Sequence, residues 1–265
     1  PINEVSSICQ NNKIPLIVDN TAAPYICKPL QHGANIVVYS TTKYIGGHGL
    51  SIGGLIIDGG TFDWEKAGDK FPMMNRPDPS YHGAIWSQAA KPLGPIAYLL
   101  RARVILLRDL GSAMSPFNAF TFIQGLETLP LRMERHCTNA LQVANFLNKH
   151  DKIDKVIYPS LMNGVHGDRA KKYLKGGFGS LLGFELKEGE SAGKKFIDNL
   201  KLLYHVANIG DARSLAIHPA STTHSQLSPE EQLSSGVTPG YVRLSIGIEH
   251  IDDIIEDLDQ ALSKT

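Results

Sequence analysis

Residues 35–49 read NIVVYSTTKYIGGHG, and the prediction of the fold starts from this stretch. It opens with four apolar residues at 36–39, whose length and β-branched character are typical of a buried strand. Three hydroxyl residues at 40–42 follow directly, then Lys43 and a glycine-rich segment at 46–49. Because ligands of open α/β sheets bind beyond the carboxyl ends of the strands, this lysine is well placed to meet a phosphorylated ligand.

Outward from this stretch, the apolar pattern alternates between strands and helices. Apolar runs predict strands at 14–18, 36–39, 52–57, 156–158, 181–186 and 242–246. Helical spacing predicts helices at 4–12, 95–110, 130–149, 192–203 and 251–262. The first two strands begin roughly 20 residues apart, which is typical of parallel α/β units. Residues 59–95 show little periodicity and are expected to form a long irregular excursion.

Composition excludes several classes of protein. The 265 residues carry 26 basic and 26 acidic side chains, so no net charge attracts nucleic acid or an anionic membrane. Three scattered cysteines favour a reducing, cytoplasmic setting over a disulfide framework. The histidines lack metal-ligand spacing, there is no phosphate-binding GxxxxGK[ST] loop, and neither a membrane span nor a signal peptide is found. The chain starts at Pro1, which is compatible with processing or truncation.

Lys43 is the first candidate for chemistry. A free lysine is a poor nucleophile at neutral pH, but a lysine held as an imine with an aldehyde cofactor becomes a catalytic group. Ser40 and Thr42 lie two positions apart on an extended end, so both can reach one phosphate while Thr41 points away. The alternative is an ordinary surface lysine after a strand.

Three further residues stand at strand ends or turns. Asp19 ends the strand before Lys43 and is either a turn residue or a carboxylate that pairs with a cationic ring nitrogen. Arg243 lies on the polar face of an alternating strand, where it is either solvated or binds a carboxylate. Asn208 follows a predicted helix in a turn, as a cap or a ligand.

Three ordered motifs together resemble one family. VDNT at 18–21, YSTTKYIGGHG at 39–49 and VRLSIGIE at 242–249 are similar to motifs of the pyridoxal-phosphate (PLP) enzymes of cysteine and methionine metabolism. The resemblance extends over essentially the whole chain. It implies the α/β PLP-dependent transferase type I (aspartate-aminotransferase-like) fold, with a mainly parallel sheet domain and a smaller C-terminal α+β domain. The predicted domains are residues 1–126, the C-terminal portion of the PLP-binding domain, and residues 127–265.

The resemblance also implies roles for individual residues. Lys43 would form the Schiff base with pyridoxal 5'-phosphate, and Asp19 would pair with the pyridine nitrogen. Ser40 and Thr42 would bind the cofactor phosphate, and Arg243 the substrate α-carboxylate.

Within the family, the chain is most similar to the O-acetylhomoserine sulfhydrylase branch. Shared stretches lie at 46–64, 107–120 and 205–228, and this branch carries asparagine at the position of Asn208, which would be a second carboxylate contact. The implied reaction is γ-replacement on O-acetyl-L-homoserine by sulfide, giving L-homocysteine and acetate for methionine biosynthesis. The implied assembly is a cytoplasmic homotetramer, a dimer of dimers with shared active sites.

Two departures keep alternatives open. Family members are longer at the N-terminus, where they supply a stacking aromatic residue, a glycine-rich phosphate loop and a tyrosine–arginine pair lent to the neighbouring subunit. The turn DNTAAPY at 19–25 is one residue shorter than the usual pattern. The rival interpretations are a cystathionine γ-synthase, a γ-lyase or methionine γ-lyase on the same scaffold, and a catalytically silent fragment without the N-terminal elements.

Overall fold

The structure is a computed structural model, and it describes all residues, 1–265. The chain forms two compact units, each of which combines separate segments. The first unit comprises residues 1–21, 28–40 and 53–120, and the second unit comprises residues 22–27, 41–52 and 121–265. None of the helices is both long enough and apolar enough to cross a lipid bilayer.

The first unit contains a mixed three-stranded sheet. Its strands are β1 (Ile17–Asp19), β2 (Ile36–Ser40) and β3 (Gly54–Asp58), in the order β1-β2-β3. The β1 and β2 strands are parallel, with Asp19 opposite Val38, whereas β2 and β3 are antiparallel. The register of β1 with β2 therefore sets where Asp19, at the end of β1, lies relative to the end of β2.

The β1 strand begins later than the sequence pattern at 14–18 predicts. Pro15 has no backbone N–H, and the N–H of Leu16 donates to the side chain of Asn35 at 2.8 Å rather than to a neighbouring strand. Regular pairing starts only at Ile17 and includes Asp19. The prediction was thus correct for the strand and wrong for its limits.

Helices of the first unit surround a small aromatic cluster. The helical segments up to residue 109 are α1 (Ile2–Asn11), α2 (Trp64–Ala67), α3 (Pro72–Asn75), α4 (Trp86–Ala89) and α5 (Ala97–Arg101), which continues as a π-helix at Ala102–Asp109. The expectation of irregular structure at 59–95 was wrong in part, since that segment contains α2, α3 and α4. Buried Met74 and Trp86 pack there with Ala90 and Ala97, because one-turn helices suffice to bury isolated large side chains.

The second unit is built on a five-stranded sheet. Its strands are β4 (Ile153–Ile157), β5 (Leu181–Leu186), β6 (Tyr204–His205), β7 (Leu215–Ile217) and β8 (Tyr241–Ser245), in the order β4-β5-β8-β7-β6. All pairs are antiparallel except β6 with β7. The sequence pattern did not predict β6 and β7, because strands of two and three residues are too short to show alternation.

Long amphipathic helices cover this sheet. The remaining helices are α6 (Pro116–Glu127), α7 (Leu129–Leu147), α8 (Gly164–Tyr173), α9 (Gly189–Asn199), α10 (Pro229–Ser234) and α11 (Ile251–Leu262). The predicted helices at 130–149 and 251–262 are confirmed as α7 and α11. In α11, Ile254 and Leu258 are fully buried, as spacing of four residues requires, and Asp252 and Asp253 lie in the positively polarised first turn.

Candidate active site

In the first unit, two predicted site residues lie at neighbouring strand ends. Asp19 is the last residue of β1 and is exposed, and its Oδ1 accepts a hydrogen bond from the N–H of Thr21 at 2.9 Å. The Oγ1 of Thr21 in turn accepts from the N–H of Ser40, the last residue of β2, at 2.8 Å. The parallel register therefore brings Asp19 and Ser40 to the same end of the sheet, joined through Thr21.

In the second unit, Thr41 directly precedes two predicted site residues, Thr42 and Lys43. Thr41 is only 4% exposed and its Oγ1 has no hydrogen-bond partner, whereas Thr42 and Lys43 are both partly exposed. Thr41 is therefore turned into the protein, and the shared contact of Ser40 and Thr42 with one phosphate stays a prediction. Thr42 also lines a cavity of about 380 Å³ with His48 and Thr128.

Lys43 meets residues that are far away in the sequence. Its Nζ donates a short hydrogen bond to Oδ1 of Asn208, and the backbone carbonyl of Asn208 accepts from Nη2 of Arg243 at 3.1 Å. All three side chains are partly exposed. The sequence-predicted amine, amide and guanidinium are thus brought together in a single cluster of the second unit.

Partial burial affects the guanidinium of this cluster. Arg243 lies on β8 between two fully buried apolar residues, Val242 and Leu244, so its side chain extends from the polar face. Desolvation lowers the pKa of Arg243, although the nearby hydroxyl groups of Tyr241 and Tyr44 oppose that change. A guanidinium stays protonated at neutral pH despite such a shift, so Arg243 offers a cationic planar fork to an anion.

A buried arginine that sequence reasoning missed supports the segment after Lys43. Arg132 on α7 is 6% exposed, and its guanidinium donates to the carbonyls of Tyr44 at 2.6 Å, Ile45 at 3.1 Å and Gly125 at 2.6 Å. Gly47 has a φ of +72°, and a side chain there would collide with this guanidinium. The sequence signal that could have identified Arg132 is a charged residue at a position on the apolar face of α7.

His136 lies one turn beyond Arg132 on the same buried face. It is fully buried, its ring contacts Tyr44 edge-on, and its Nδ1 is 2.6 Å from the carbonyl oxygen of Ile246. Since a carbonyl only accepts, Nδ1 carries the proton and Nε2, which has no partner, does not. Burial lowers the pKa of His136 to about 4, so the ring is neutral in the folded chain at neutral pH.

His136 therefore predicts acid sensitivity. An unfolded histidine takes up its proton near pH 6.5, whereas the folded one resists protonation until about pH 4, so falling pH favours unfolding across this window. We expect the free energy of unfolding to fall by up to about 3 kcal/mol from this group alone. Denaturant titrations from pH 7 to pH 4 should show a weaker pH dependence for His136→Gln, whereas replacing the exposed His166 in the same way should change nothing. Equal pH dependence of wild type and His136→Gln would contradict this assignment.

A second missed residue fixes the loop that carries Asn208. Glu249, which ends the third motif, accepts hydrogen bonds from the N–H of Ser214 at 2.5 Å and from its Oγ at 2.8 Å. The Oγ of Ser214 accepts from the N–H of Gly247 at 2.8 Å. These bonds tie the residues that follow β8 to the end of the loop.

The comparisons with known proteins identify the family of the chain. The sequence model of the family described as "Cys/Met metabolism PLP-dependent enzyme" matches residues 1–263. An O-acetyl-L-homoserine sulfhydrylase of Leptospira meyeri is 57% identical over 98% of this chain and 60% of its own length. A homocysteine synthase of Schizosaccharomyces pombe is 48% identical over 97% of this chain and likewise 60% of its own length. The chain therefore spans about 60% of these curated relatives.

A solved structure extends the similarity to three dimensions. A Campylobacter jejuni protein described as an O-acetylhomoserine (thiol)-lyase superposes with a TM-score of 0.90 at 43% identity, over 99% of this chain and 62% of that one. That structure carries N'-pyridoxyl-lysine-5'-monophosphate. The similarity confirms the predicted fold class, the PLP-dependent transferase type I architecture. With a family match over nearly all of its residues, the chain belongs to the Cys/Met metabolism PLP-dependent enzymes.

Proposed function

We propose that the protein catalyses γ-replacement on O-acetyl-L-homoserine by sulfide, giving L-homocysteine and acetate. The observation that carries this proposal is the cluster of Lys43, Asn208 and Arg243, which joins an amine to two groups suited to an amino-acid carboxylate. Relatives named for this substrate or this product, at 48–57% identity, support the same reaction.

The predicted cofactor-binding residues each carry a group whose chemistry suits pyridoxal phosphate. The partly exposed amine of Lys43 suits the cofactor aldehyde, and the exposed carboxylate of Asp19 suits a protonated ring nitrogen. The partly exposed Ser40 and Thr42 offer hydroxyl donors for a phosphate. When bound, pyridoxal phosphate supplies an electron sink for charge that develops at the substrate α-carbon.

The residues of the chain then have distinct tasks. Lys43 would hold the cofactor through its amine, and the same amine, when free, would take the substrate α-proton and return it. Arg243 binds the substrate α-carboxylate through its planar fork, and Asn208 donates its amide N–H to the same group. Asp19 would keep the ring nitrogen protonated through a charge-assisted hydrogen bond. Ser40 and Thr42 would hold the cofactor phosphate through their hydroxyl groups.

The overall exchange is balanced by one bond broken and one formed. The Cγ–O bond of O-acetylhomoserine breaks and acetate leaves with the electron pair. Hydrosulfide forms the new Cγ–S bond, so no oxidant or reductant is needed.

Organisation and setting are further parts of the proposal. We infer a cytoplasmic homotetramer, a dimer of dimers in which subunits share active sites, and no nucleic-acid or membrane partner. The balanced charge and the branch of the family support this view. The division into residues 1–126, the C-terminal portion of the PLP-binding domain, and residues 127–265 also remains a prediction.

The decisive assay supplies O-acetylhomoserine with either sulfide or cysteine to the purified chain and pyridoxal phosphate. Formation of homocysteine and acetate with sulfide is expected, with little cystathionine from cysteine. Ketobutyrate and ammonia without a second substrate would instead indicate a γ-lyase, and no product from any pair would contradict activity of this chain.

Asn208→Ser is expected to raise KM for O-acetylhomoserine about tenfold, because a serine hydroxyl is too short to make the amide contact with the carboxylate. The visible absorbance of the lysine-bound cofactor should stay, since Lys43 is retained. Steady-state kinetics and an absorbance scan of the same preparation measure both. An unchanged KM would remove Asn208 from the substrate site.

A further inference from the structure

The turn that carries Asn208 is held at two points. The backbone carbonyl of Asn208 accepts from Arg243, and two residues later the N–H of Gly210 donates to Oγ of Ser245 at 3.1 Å. Gly210 is buried and has a φ of +71°. Arg243 and Ser245 lie on the same face of β8, two residues apart, so side chains of one strand bond to the turn at both points.

The residue after Lys43 packs against this turn. Tyr44 is fully buried, and a Cβ built on Gly210 would lie 2.6 Å from the backbone nitrogen of Tyr44 and 2.6 Å from its ring carbon Cδ2. Only glycine therefore lets the turn approach the Lys43–Tyr44 peptide this closely. A small displacement of the turn would move Asn208 relative to Lys43.

The hydroxyl of Tyr44 ends in a buried polar cluster. It lies 2.6 Å from Oγ of Ser180, and both Ser180 and Ser245 are at most 1% exposed. Burial raises the pKa of Tyr44 to about 12, while side-chain hydrogen bonds with Ser180 and Ser245 act in the opposite direction. Within this cluster, Ser245 is the residue whose side chain bonds to the turn, through the N–H of Gly210.

We propose that Ser245 is a positioning residue, which fixes the turn at 208–211 against the Lys43–Tyr44 segment so that Asn208 engages the amine of Lys43. Ser245 acts through Gly210 and Asn208, not by contact with a substrate. The proposal deepens the proposed function. Its consequence for catalysis rests on Lys43 being the lysine that binds the cofactor. The packing itself is a property of the chain without cofactor.

The chain offers a matched control for Ser245. Ser180 is equally buried, is also a serine, and also contacts Tyr44, but it makes no side-chain bond to the turn. Ser245→Ala and Ser180→Ala therefore each remove one serine hydroxyl from the same cluster. Only Ser245→Ala removes the acceptor of the Gly210 N–H.

The first readout is amide hydrogen exchange of the purified chain without cofactor. Ser245→Ala should accelerate exchange at Gly210 by about tenfold or more relative to wild type, and Ser180→Ala should leave it unchanged. If Ser245→Ala does not fold, Ser245→Cys replaces it, because a thiol preserves the size but accepts hydrogen bonds weakly. Unchanged exchange in the folded Ser245 variant, or equal acceleration in Ser180→Ala, would overturn the proposal.

The second readout is the reactivity of the Lys43 amine. Reductive methylation of Lys43, followed by mass spectrometry without cofactor, should be about threefold or more faster in Ser245→Ala and in Asn208→Ala than in wild type. The double variant should react no faster than Asn208→Ala alone, because both changes release the same contact. Additive effects would contradict a route through Asn208. Neither readout needs pyridoxal phosphate, so failure to bind cofactor would overturn the proposed function and leave this result intact.

Discussion

Replacing Lys43 with alanine is expected to reduce homocysteine formation at least about 1,000-fold and to abolish the visible absorbance of the lysine-bound cofactor. The physical reason is that one amine has two tasks, holding the cofactor and transferring the α-proton. The methyl group of alanine can perform neither of them. The contacts of Nζ support this choice, because Lys43 bonds to the side chain of Asn208, whose backbone carbonyl accepts from Arg243.

The control for this variant is a lysine that the structure leaves in solvent. Lys149 is exposed and lies beyond the end of α7, so Lys149→Ala should retain wild-type rate and absorbance. Absorbance scans and the sulfide assay on both variants make the comparison. A Lys43→Ala protein that still turns over would remove Lys43 from the mechanism.

Replacing Arg132 with lysine is expected to have the largest effect on stability. The guanidinium donates to three carbonyls, and a single ammonium at the end of a lysine cannot reproduce this planar fork. At least two buried carbonyls would lose their donor, which costs about 2–4 kcal/mol in the free energy of unfolding. Two of the three carbonyls belong to Tyr44 and Ile45, so the segment after Lys43 should loosen first.

Arg135 on the same helix provides the matched control, since it is exposed and carries the same charge. Arg135→Lys should lie within about 0.5 kcal/mol of wild type in urea unfolding. The guanidinium of Arg132 is held away from water, and this desolvation lowers its pKa. Equal unfolding midpoints for the two variants would show that the carbonyl bonds contribute nothing.

The sequence was most informative where chemistry is concentrated in short motifs. Lys43 and Asn208 are 165 positions apart, and the structure joins these two candidate residues by a hydrogen bond that the sequence did not predict. Arg132 and Ser245 were not predicted as functional. Their roles depend on long-range contacts with backbone groups. Because residues of nearly every type carry the same backbone carbonyl and N–H, the sequence does not show which of these groups a side chain will contact.

The limits of the fold prediction have the same origin. Helices α7 and α11 were predicted well, because their apolar spacing persists over 19 and 12 residues. The start of β1 was wrong, because a side chain of Asn35 takes the bond that a strand partner would otherwise make with Leu16. The one-turn helices within 59–95 are too short to produce a period, so only tertiary packing identifies them.

The most direct test of the central claim locates the cofactor on the chain. Pyridoxal phosphate is added to the purified 265-residue protein, borohydride fixes it to the amine that holds it, and peptide mass spectrometry identifies the modified lysine. We expect near-stoichiometric label at Lys43 and none at that site in Lys43→Ala. Label spread over exposed lysines, with Lys43 unmodified, would contradict it.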